Sequence, residues 1–144
     1  MNTEITPQLL ISNCSPQQFE DVKNYIALFE LDNRELKTEE FLVATIHNTL
    51  VGFGRIREFK TCSELCSLGV IEPERYKGIG SSLTQQLIKK AKNKLYLVCI
   101  IPDFFKPLGF EICVQFPPEL KDKLNYCNQS LPVSETYVVM QLKA

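Results

Sequence analysis

Histidine is nearly absent from this 144-residue chain, and the only one is His47. With no Gly-x-Ser-x-Gly sequence either, a serine-hydrolase triad is disfavoured. An excess of charge of one sign is also missing, because 16 basic and 17 acidic residues leave a net charge of -1. Nothing electrostatic therefore favours nucleic acid or an anionic membrane as a partner. No apolar run is long enough to span a bilayer, and residues 1–7 lack the pattern of a secretory signal, so we expect a cytoplasmic protein.

The six cysteines are not accompanied by the other features of a disulfide-stapled or zinc-binding protein. A chain of this length can bury a core without staples, and residues 1–144 are predicted to form a single domain. Cys14, Cys66 and Cys99 lie in apolar runs, where a thiol behaves as a small hydrophobe. The spacing of Cys62 and Cys66 is C-x3-C instead of C-x2-C. We expect buried free thiols and no metal, with a zinc site as the minor alternative.

Periodicity predicts two helices. Ser15 and Gln18 form a capping box, and Pro16 occupies the first helical position. Apolar residues then recur every three or four positions: Phe19, Val22, Tyr25, Ile26 and Phe29. The second helix has lysines in its last turns, where the helix dipole favours them. Its apolar face consists of Ile79, Leu83, Leu87, Ile88 and Ala91.

Apolar, β-prone runs predict the strands of an α/β (α+β) fold. They are Ile5–Ile11 (weak), Phe41–Ile46, Val51–Phe59, Cys62–Val70, Leu95–Ile100 and Thr136–Leu142. Asn48 and Thr49 are expected to form a hairpin turn, and 33–37 a loop or short helix. The central order of strand, glycine-rich turn, helix and strand predicts a β-α-β unit with parallel strands. We therefore expect a mixed, largely antiparallel central sheet with flanking helices and a parallel β-α-β centre.

The glycine-rich turn reads Arg75-Tyr76-Lys77-Gly78-Ile79-Gly80-Ser81. Glycines allow a close approach to the backbone, and the first amides of the following helix form a site suited to phosphate. The alternative is that the two glycines only allow a tight turn between strand and helix. A dinucleotide fingerprint would need glycine at Leu83, and a Walker A loop would need Gly-Lys-Ser/Thr.

Three segments together resemble the GNAT (Gcn5-related) N-acetyltransferase superfamily. Arg75-x-x-Gly78-x-Gly80 resembles its R/Q-x-x-G-x-G/A motif. Glu64–Val70 resembles its fourth strand, and Phe104–Phe110 its F-Y-x-x-x-G-F segment. Phe116–Leu120, Tyr126 and Val138–Met140 are more weakly similar to the end of N-acetylglutamate synthase-type GNAT domains.

The resemblance implies transfer of an acetyl group from acetyl-CoA, as co-substrate, to a primary amine. It places the CoA pyrophosphate on the glycine-rich turn and the pantetheine arm along the end of the strand before it. The implied cofactor-binding residues are Leu68, Gly69, Val70, Arg75, Tyr76, Lys77, Gly78, Ile79, Gly80, Ser81 and Phe105.

The resemblance also implies Glu64 as the general base that removes a proton from the amine. Strand alternation places Glu64 on the side of Cys66, Leu68 and Val70, where apolar neighbours would raise the pKa of the carboxyl toward neutrality. The alternative is a solvated glutamate at the domain rim.

The proton donor for the CoA thiolate departs from the family pattern, because Phe105 replaces the tyrosine of many relatives. Tyr126, Tyr137 or solvent would then supply that proton. Pro107 is a second departure from the family pattern, and it predicts a short or distorted helix.

Arg55 and Arg57 alternate along one strand and so point to the same side. Two guanidinium groups suit a carboxylate on the substrate, and the alternative is a solvated strand face. Arg34, in a segment that borders the acceptor cleft in the family, is expected at the surface. The sequence thus predicts a monomeric or homodimeric enzyme for small amines, with an amino acid as one candidate acceptor. A non-catalytic acyl-CoA-binding module and a protein N-acetyltransferase are the alternatives.

Overall fold

The computed structural model describes residues 8–71, 78–130 and 136–143. Its strands are β1 (Leu9–Asn13), β2 (Phe41–Ile46), β3 (Thr49–Glu58), β4 (Ser63–Val70), β5 (Leu95–Cys99), β6 (Phe110–Ile112) and β7 (Val138–Leu142). Its helices are α1 (Pro16–Leu28), α2 (Ile79–Lys90), α3 (Pro102–Phe105) and α4 (Pro118–Ser130), with 3-10 turns at Thr38–Glu40 and Lys106–Leu108.

The strands form one seven-stranded sheet in the order β1-β2-β3-β4-β5-β7-β6. Neighbouring strands are antiparallel except for β4 and β5, which are parallel and are connected through α2. This arrangement confirms the predicted mixed sheet with a parallel β-α-β centre. None of the helices described is long and apolar enough to cross a membrane.

Helix α1 begins as its capping box predicts. The backbone N–H of Gln18 donates to Ser15 Oγ at 3.1 Å, and the Ser15 N–H donates to Gln18 Oε1 at 2.9 Å. Val22 and Ile26 then pack with Phe41 and Phe53 on one face of the sheet. Buried apolar residues of α2 cover the opposite face, so the core has two layers.

Strand β4 contains a bulge that sequence alternation did not reveal. Arg55 lies opposite Cys66, but Phe53 lies opposite Gly69, so β4 holds one residue more than β3 over this stretch. Ser67 absorbs the extra residue with a positive φ of 54°. Strict alternation therefore fails beyond Cys66.

The C-terminal third holds the elements that the sequence did not predict, α4 and β6. The effect of Pro107 is confirmed, because α3 has only four residues and continues as a 3-10 turn. The other differences are small. The turn between β2 and β3 falls one residue early, on His47 and Asn48, which both have positive φ, and β1 begins at Leu9.

Candidate active site

The site begins where β4 and β5 stop pairing. Only Ser63 with Leu95 and Glu64 with Tyr96 are in register. Beyond them the two strands line a cavity of about 320 Å³, called the β4–β5 cavity below. Its walls are mainly apolar and come from the loop after α1, both strands, α3, α4 and the residue before β7. They include Phe29, Leu31, Leu65, Cys66, Leu68, Leu97, Val98, Cys99, Ile100, Ile101, Phe105, Cys127 and Tyr137.

One end of the cavity is polar. Asp32, Ser67 and Lys123 line it, and all three are buried. Lys123 Nζ lies 2.7 Å from Asp32 Oδ2 and 2.9 Å from Glu64 Oε2. Burial alone would lower the pKa of Lys123, but neighbouring negative groups, Glu64 and Asp32 among them, raise that pKa above its ordinary value.

Asp32 is held from several sides. Arg34 donates to both of its carboxylate oxygens through Nε at 3.0 Å and Nη2 at 2.9 Å. Burial alone would raise the pKa of Asp32, but the hydrogen bonds and charges of Arg34 and Lys123 outweigh it and hold that pKa well below its usual range. Arg34 also lies over the Tyr126 ring, 4.0 Å from its centroid, so this partly exposed residue is at the surface, as expected, but is engaged by both neighbours.

The structure corrects the substrate-binding role predicted for Arg55. Arg55 and Arg57 do lie on the same face, opposite Cys66 and Glu64. The Arg55 side chain, however, is 0% exposed and donates to Ser67 Oγ at 3.0 Å and to Glu40 Oε1 at 3.1 Å. These partners within the fold occupy the guanidinium that a substrate carboxylate would need.

Arg57 does not line the β4–β5 cavity either. Its guanidinium lies 3.6 Å from the exposed carboxylate of Glu35 and packs over the Phe59 ring. Neither predicted arginine therefore lines the cavity, although Arg55 contacts Ser67 and Asp32 at its polar end.

Glu64 is buried, with 1% of its surface exposed, so the alternative of a solvated glutamate is wrong. The expected apolar setting is also wrong, because the Lys123 ammonium contacts the carboxylate. Glu64 shares its face with Cys66 but not with Leu68 and Val70, since the bulge at Ser67 moves those two to the α2 side. Glu64 itself does not line the cavity, but Lys123, whose ammonium contacts the Glu64 carboxylate, does.

Asp32, Glu64 and Cys66 place potential metal-ligating atoms within 4.8 Å of one another. The Lys123 ammonium, however, already contacts both carboxylates. Its positive charge lies where a cation would have to bind, and the arrangement is that of an ion-pair network.

The described part of the glycine-rich turn is Gly78 to Ser81, and Arg75, Tyr76 and Lys77 lie outside the described residues. Gly78 precedes α2 with a φ of 80°, a conformation that favours glycine. A Cβ on Gly80 would lie 3.2 Å from the Phe104 ring, so this glycine allows α3 to approach α2. Ile79 packs in the core, and the first amides of α2 remain the phosphate-binding feature that the motif predicts.

The other predicted cofactor residues divide between the cavity and the core. Leu68 and Phe105 line the cavity. Gly69 faces α1, where a Cβ would lie 2.6 Å from the Phe53 ring, and Val70 packs beside Ile79. Gly69 is thus buried and the Val70 side chain packs against the core, while the cofactor role predicted for their backbone stays a prediction.

The two candidate tyrosines are in different places. Tyr126 lines a separate depression with Asn33, whose Oδ1 lies 3.5 Å from the tyrosine hydroxyl oxygen. Tyr137 lines the β4–β5 cavity, as does Phe105, and Phe105 itself is buried between Phe104 and Phe110.

The thiols are free, as predicted, and Cys62, Cys66, Cys99 and Cys127 are buried. Burial raises the pKa of Cys66 and Cys99, both of which line the cavity, so these thiols stay neutral at physiological pH.

Sequence reasoning missed Asp32 and Lys123. A signal for Lys123 was available, because Leu120, Lys123 and Cys127 follow the helical spacing of a buried stripe. Asp32 lies in a loop, where no periodicity marks it.

The chain matches known proteins in family and in fold. The family model described as acetyltransferase (GNAT) family matches residues 8–110. No curated protein matches the sequence.

Several solved structures share the fold at low identity. N-acetylglutamate synthase from Neisseria gonorrhoeae, complexed with coenzyme A and N-acetyl-glutamate, is 16% identical with a TM-score of 0.73, covering 97% of this chain and 36% of that one. Rv2747 from Mycobacterium tuberculosis, in complex with CoA and NLQ, is 15% identical with a TM-score of 0.75, covering 94% and 99%. Arabidopsis thaliana Naa50, in complex with the bisubstrate analogue CoA-Ac-MVNAL, is 17% identical with a TM-score of 0.63, covering 94% and 98%. This chain thus spans about a third of the synthase and nearly all of the other two.

Proposed function

The chain belongs to the GNAT family of acetyltransferases, and from that premise we propose that it transfers the acetyl group of acetyl-CoA to the primary amine of a small molecule. The family membership confirms the resemblance and the enzyme class that the sequence predicted. A single domain over residues 1–144, a monomeric or homodimeric state, a cytoplasmic location and the lack of nucleic-acid and membrane partners stay predictions.

The gap between β4 and β5 is the observation that carries this proposal. A pantetheine arm is long, narrow and carries amides, so it suits a slot whose walls are apolar and whose strand edge offers backbone partners. The β4–β5 cavity has apolar walls, and backbone pairing between its two strands ends after Glu64 and Tyr96. Structures of similar fold contain CoA or a CoA conjugate, which supports acetyl-CoA as the ligand here.

The chemistry requires a base before the acyl transfer. The acceptor ammonium loses a proton, and its nitrogen attacks the thioester carbonyl carbon. A C–N bond forms and the C–S bond breaks, the nitrogen gives up a second proton to become an amide, and CoA leaves as a thiolate that takes up one proton. We keep Glu64 as the proposed base, since the low pKa of Asp32 makes that second carboxylate a weak acceptor of protons.

Protonation of the CoA thiolate is better assigned to Tyr137 than to Tyr126. Tyr137 lines the cavity together with Phe105, whose ring has no hydroxyl, whereas Tyr126 lines the depression beside Asn33.

An amino acid remains one class of acceptor to test, on one of the two grounds that the sequence offered. The N-acetyl-glutamate bound to the Neisseria enzyme favours it, in line with the weaker resemblance to N-acetylglutamate synthase-type domains, while the engagement of Arg55 within the fold removes the argument from the arginines. Among the described residues, the positive side chain that lines the cavity is Lys123. A coupled assay for free CoA with amino acids, their decarboxylated amines and polyamines would identify the acceptor.

A non-catalytic CoA-binding module is the second candidate, and Phe105 favours it because the family hydroxyl is missing there. The same assay separates the two. If no acceptor in the panel leads to release of CoA although acetyl-CoA binds tightly, the result supports the non-catalytic module.

The position of the acetyl-CoA site can be tested by blocking the mouth of the cavity. Ile101 lines the cavity and is 54% exposed, so Ile101→Trp adds bulk there without disturbing the core. We expect the Kd for acetyl-CoA to rise by about tenfold or more, measured by calorimetry or by thermal shift.

Ile112→Trp is the matched control, since Ile112 is 47% exposed and lies on β6, outside the cavity lining. It should leave the Kd unchanged. Equal affinities in the two variants would place acetyl-CoA elsewhere.

Glu64→Gln tests the proposed base. The amide keeps the shape of the side chain but cannot accept the amine proton, so kcat should fall by about a hundredfold while acetyl-CoA binding persists. Glu30→Gln is the control, because Glu30 is an exposed carboxylate that lines the same cavity. Glu64 has no role as a base if Glu64→Gln keeps the kcat of the Glu30→Gln variant.

A further inference from the structure

Helix α4 carries a charged residue where packing alone would select an apolar one. Its buried residues are Leu120, Lys123 and Cys127, and Leu120 belongs to a hydrophobic cluster with Tyr96 and Val139. A buried ammonium is costly unless it is paired, so the residue type at 123 is set by what the ammonium contacts.

The contacts of Lys123 join two carboxylates that come from distant parts of the chain. Nζ donates to Asp32 Oδ2 at 2.7 Å and lies 2.9 Å from Glu64 Oε2. Asp32 in turn is fixed by the side chain and the backbone N–H of Arg34. The order of support therefore runs from Arg34 through Asp32 and Lys123 to Glu64.

The contact with Glu64 differs in kind from the contact with Asp32. The first is close enough for an ion pair, but Glu64 Oε2 has no aligned hydrogen bond from any partner among the described residues. An ammonium so placed attracts the carboxylate without a directed bond to that oxygen. The ion pair therefore leaves this oxygen without a directed donor among the described residues.

We propose that Lys123 is the positioning residue of this active site, and that its ammonium, anchored by Asp32, holds the Glu64 carboxylate in place beside the cavity. The proposal rests on the proposed function, since it gives Glu64 the role of base. It assigns to α4 a part in catalysis in addition to its packing on β5 and β7.

The test is a double-mutant cycle between Lys123 and Glu64, read in the CoA-release assay. Lys123→Met keeps the length of the side chain and removes the charge. We expect kcat to fall by about tenfold to a hundredfold, with the Kd for acetyl-CoA changed by less than about threefold. In the Glu64→Gln background the same change should lower kcat by less than about threefold further, because the group that it positions is already gone.

Two further variants separate positioning from folding. Lys123→Arg keeps the positive charge and should recover part of the kcat lost in Lys123→Met. Lys121→Met, at an exposed position of the same helix, should leave kcat unchanged. Should Lys123→Met fail to fold, the Lys123→Arg variant and the double variant, which removes both opposite charges, carry the test.

The proposal is overturned if Lys123→Met keeps the wild-type kcat, or if the two losses multiply in the double variant. It is also overturned if Lys123→Met raises only KM. These failures differ from a failure of the proposed function, in which the wild-type protein itself releases no CoA with any amine.

Discussion

The two ends of β4 are held to the rest of the molecule in different ways. At its start, β4 pairs with β5, and the Ser63 hydroxyl and the Asn93 side-chain amide donate hydrogen bonds to the Glu58 carboxylate. At its far end, backbone pairing with β5 is replaced by a cavity, and the chain is held through Ser67 by Arg55 and the Asp32 carbonyl. The closed end is joined by backbone pairing and by the exposed carboxylate of Glu58, whereas at the open end the Ser67 hydroxyl is held by the buried guanidinium of Arg55.

The difference shows how a gap can persist inside a sheet. Strands that can pair normally do so, because unpaired buried backbone groups are costly. Here the bulge at Ser67 turns β4 out of register, and the Ser67 hydroxyl bonds to the Arg55 side chain of β3 and to the backbone carbonyl of Asp32 in the loop after α1. The buried Arg55 guanidinium and the Asp32 carbonyl thus stabilise a conformation that leaves room for a ligand.

The largest loss of stability is expected from a substitution of Arg55, which holds the open end of β4. Arg55→Met keeps most of the side-chain stem but leaves Glu40 and the Ser67 hydroxyl without their buried partner. Removing one member of a buried ion pair costs about 3–5 kcal/mol, so the free energy of unfolding in urea should fall by about that amount.

Arg57→Met is the matched control on the same strand face. Its ion-pair partner Glu35 has 75% of its side chain exposed, and exposed pairs contribute less than about 1 kcal/mol. If the two variants lost equal stability, the open end would not depend on its buried charges.

The sequence predicted the elements whose signals are local. The capping box at Ser15 and the helical spacing from Ile79 set α1 and α2, and both are present in the structure. The alternation of β4 was followed correctly as far as Cys66, where the bulge begins. A bulge depends on groups that are distant in sequence, here the Arg55 side chain and the Asp32 carbonyl, so no local pattern marks it.

The site was predicted in its parts but not in its arrangement. Glu64 and Phe105 were identified from the family segments, and both lie at or beside the cavity. Arg55 was assigned to the substrate because strand alternation gives the direction of a side chain but not its partners. Lys123 was missed because α4, with a mean hydropathy lower than that of α1 and α2, was not predicted as a helix.

A smaller loss of stability is expected when either of two serines of β4 is changed to alanine, and the pair compares the two ends of the strand directly. Ser63 Oγ donates to Glu58 and accepts from the Asn93 N–H at 2.9 Å, while Ser67 Oγ donates to the Asp32 carbonyl at 2.7 Å and accepts from Arg55. Both hydroxyls are buried, so Ser63→Ala and Ser67→Ala should each lower the free energy of unfolding by about 1–3 kcal/mol.

The two variants should differ in ligand binding even where their stabilities agree. Ser67 lines the β4–β5 cavity, and its bonds hold the bulge that keeps β4 away from β5. Ser67→Ala should therefore weaken acetyl-CoA binding by about tenfold, since one hydrogen bond to a charged group is worth about 1.5–3 kcal/mol. Ser63→Ala loosens only the paired end and should leave the Kd unchanged in the same calorimetric titration. A Kd raised equally by both variants would mean that the two ends of β4 act as one unit, and that the closed end also shapes the cavity.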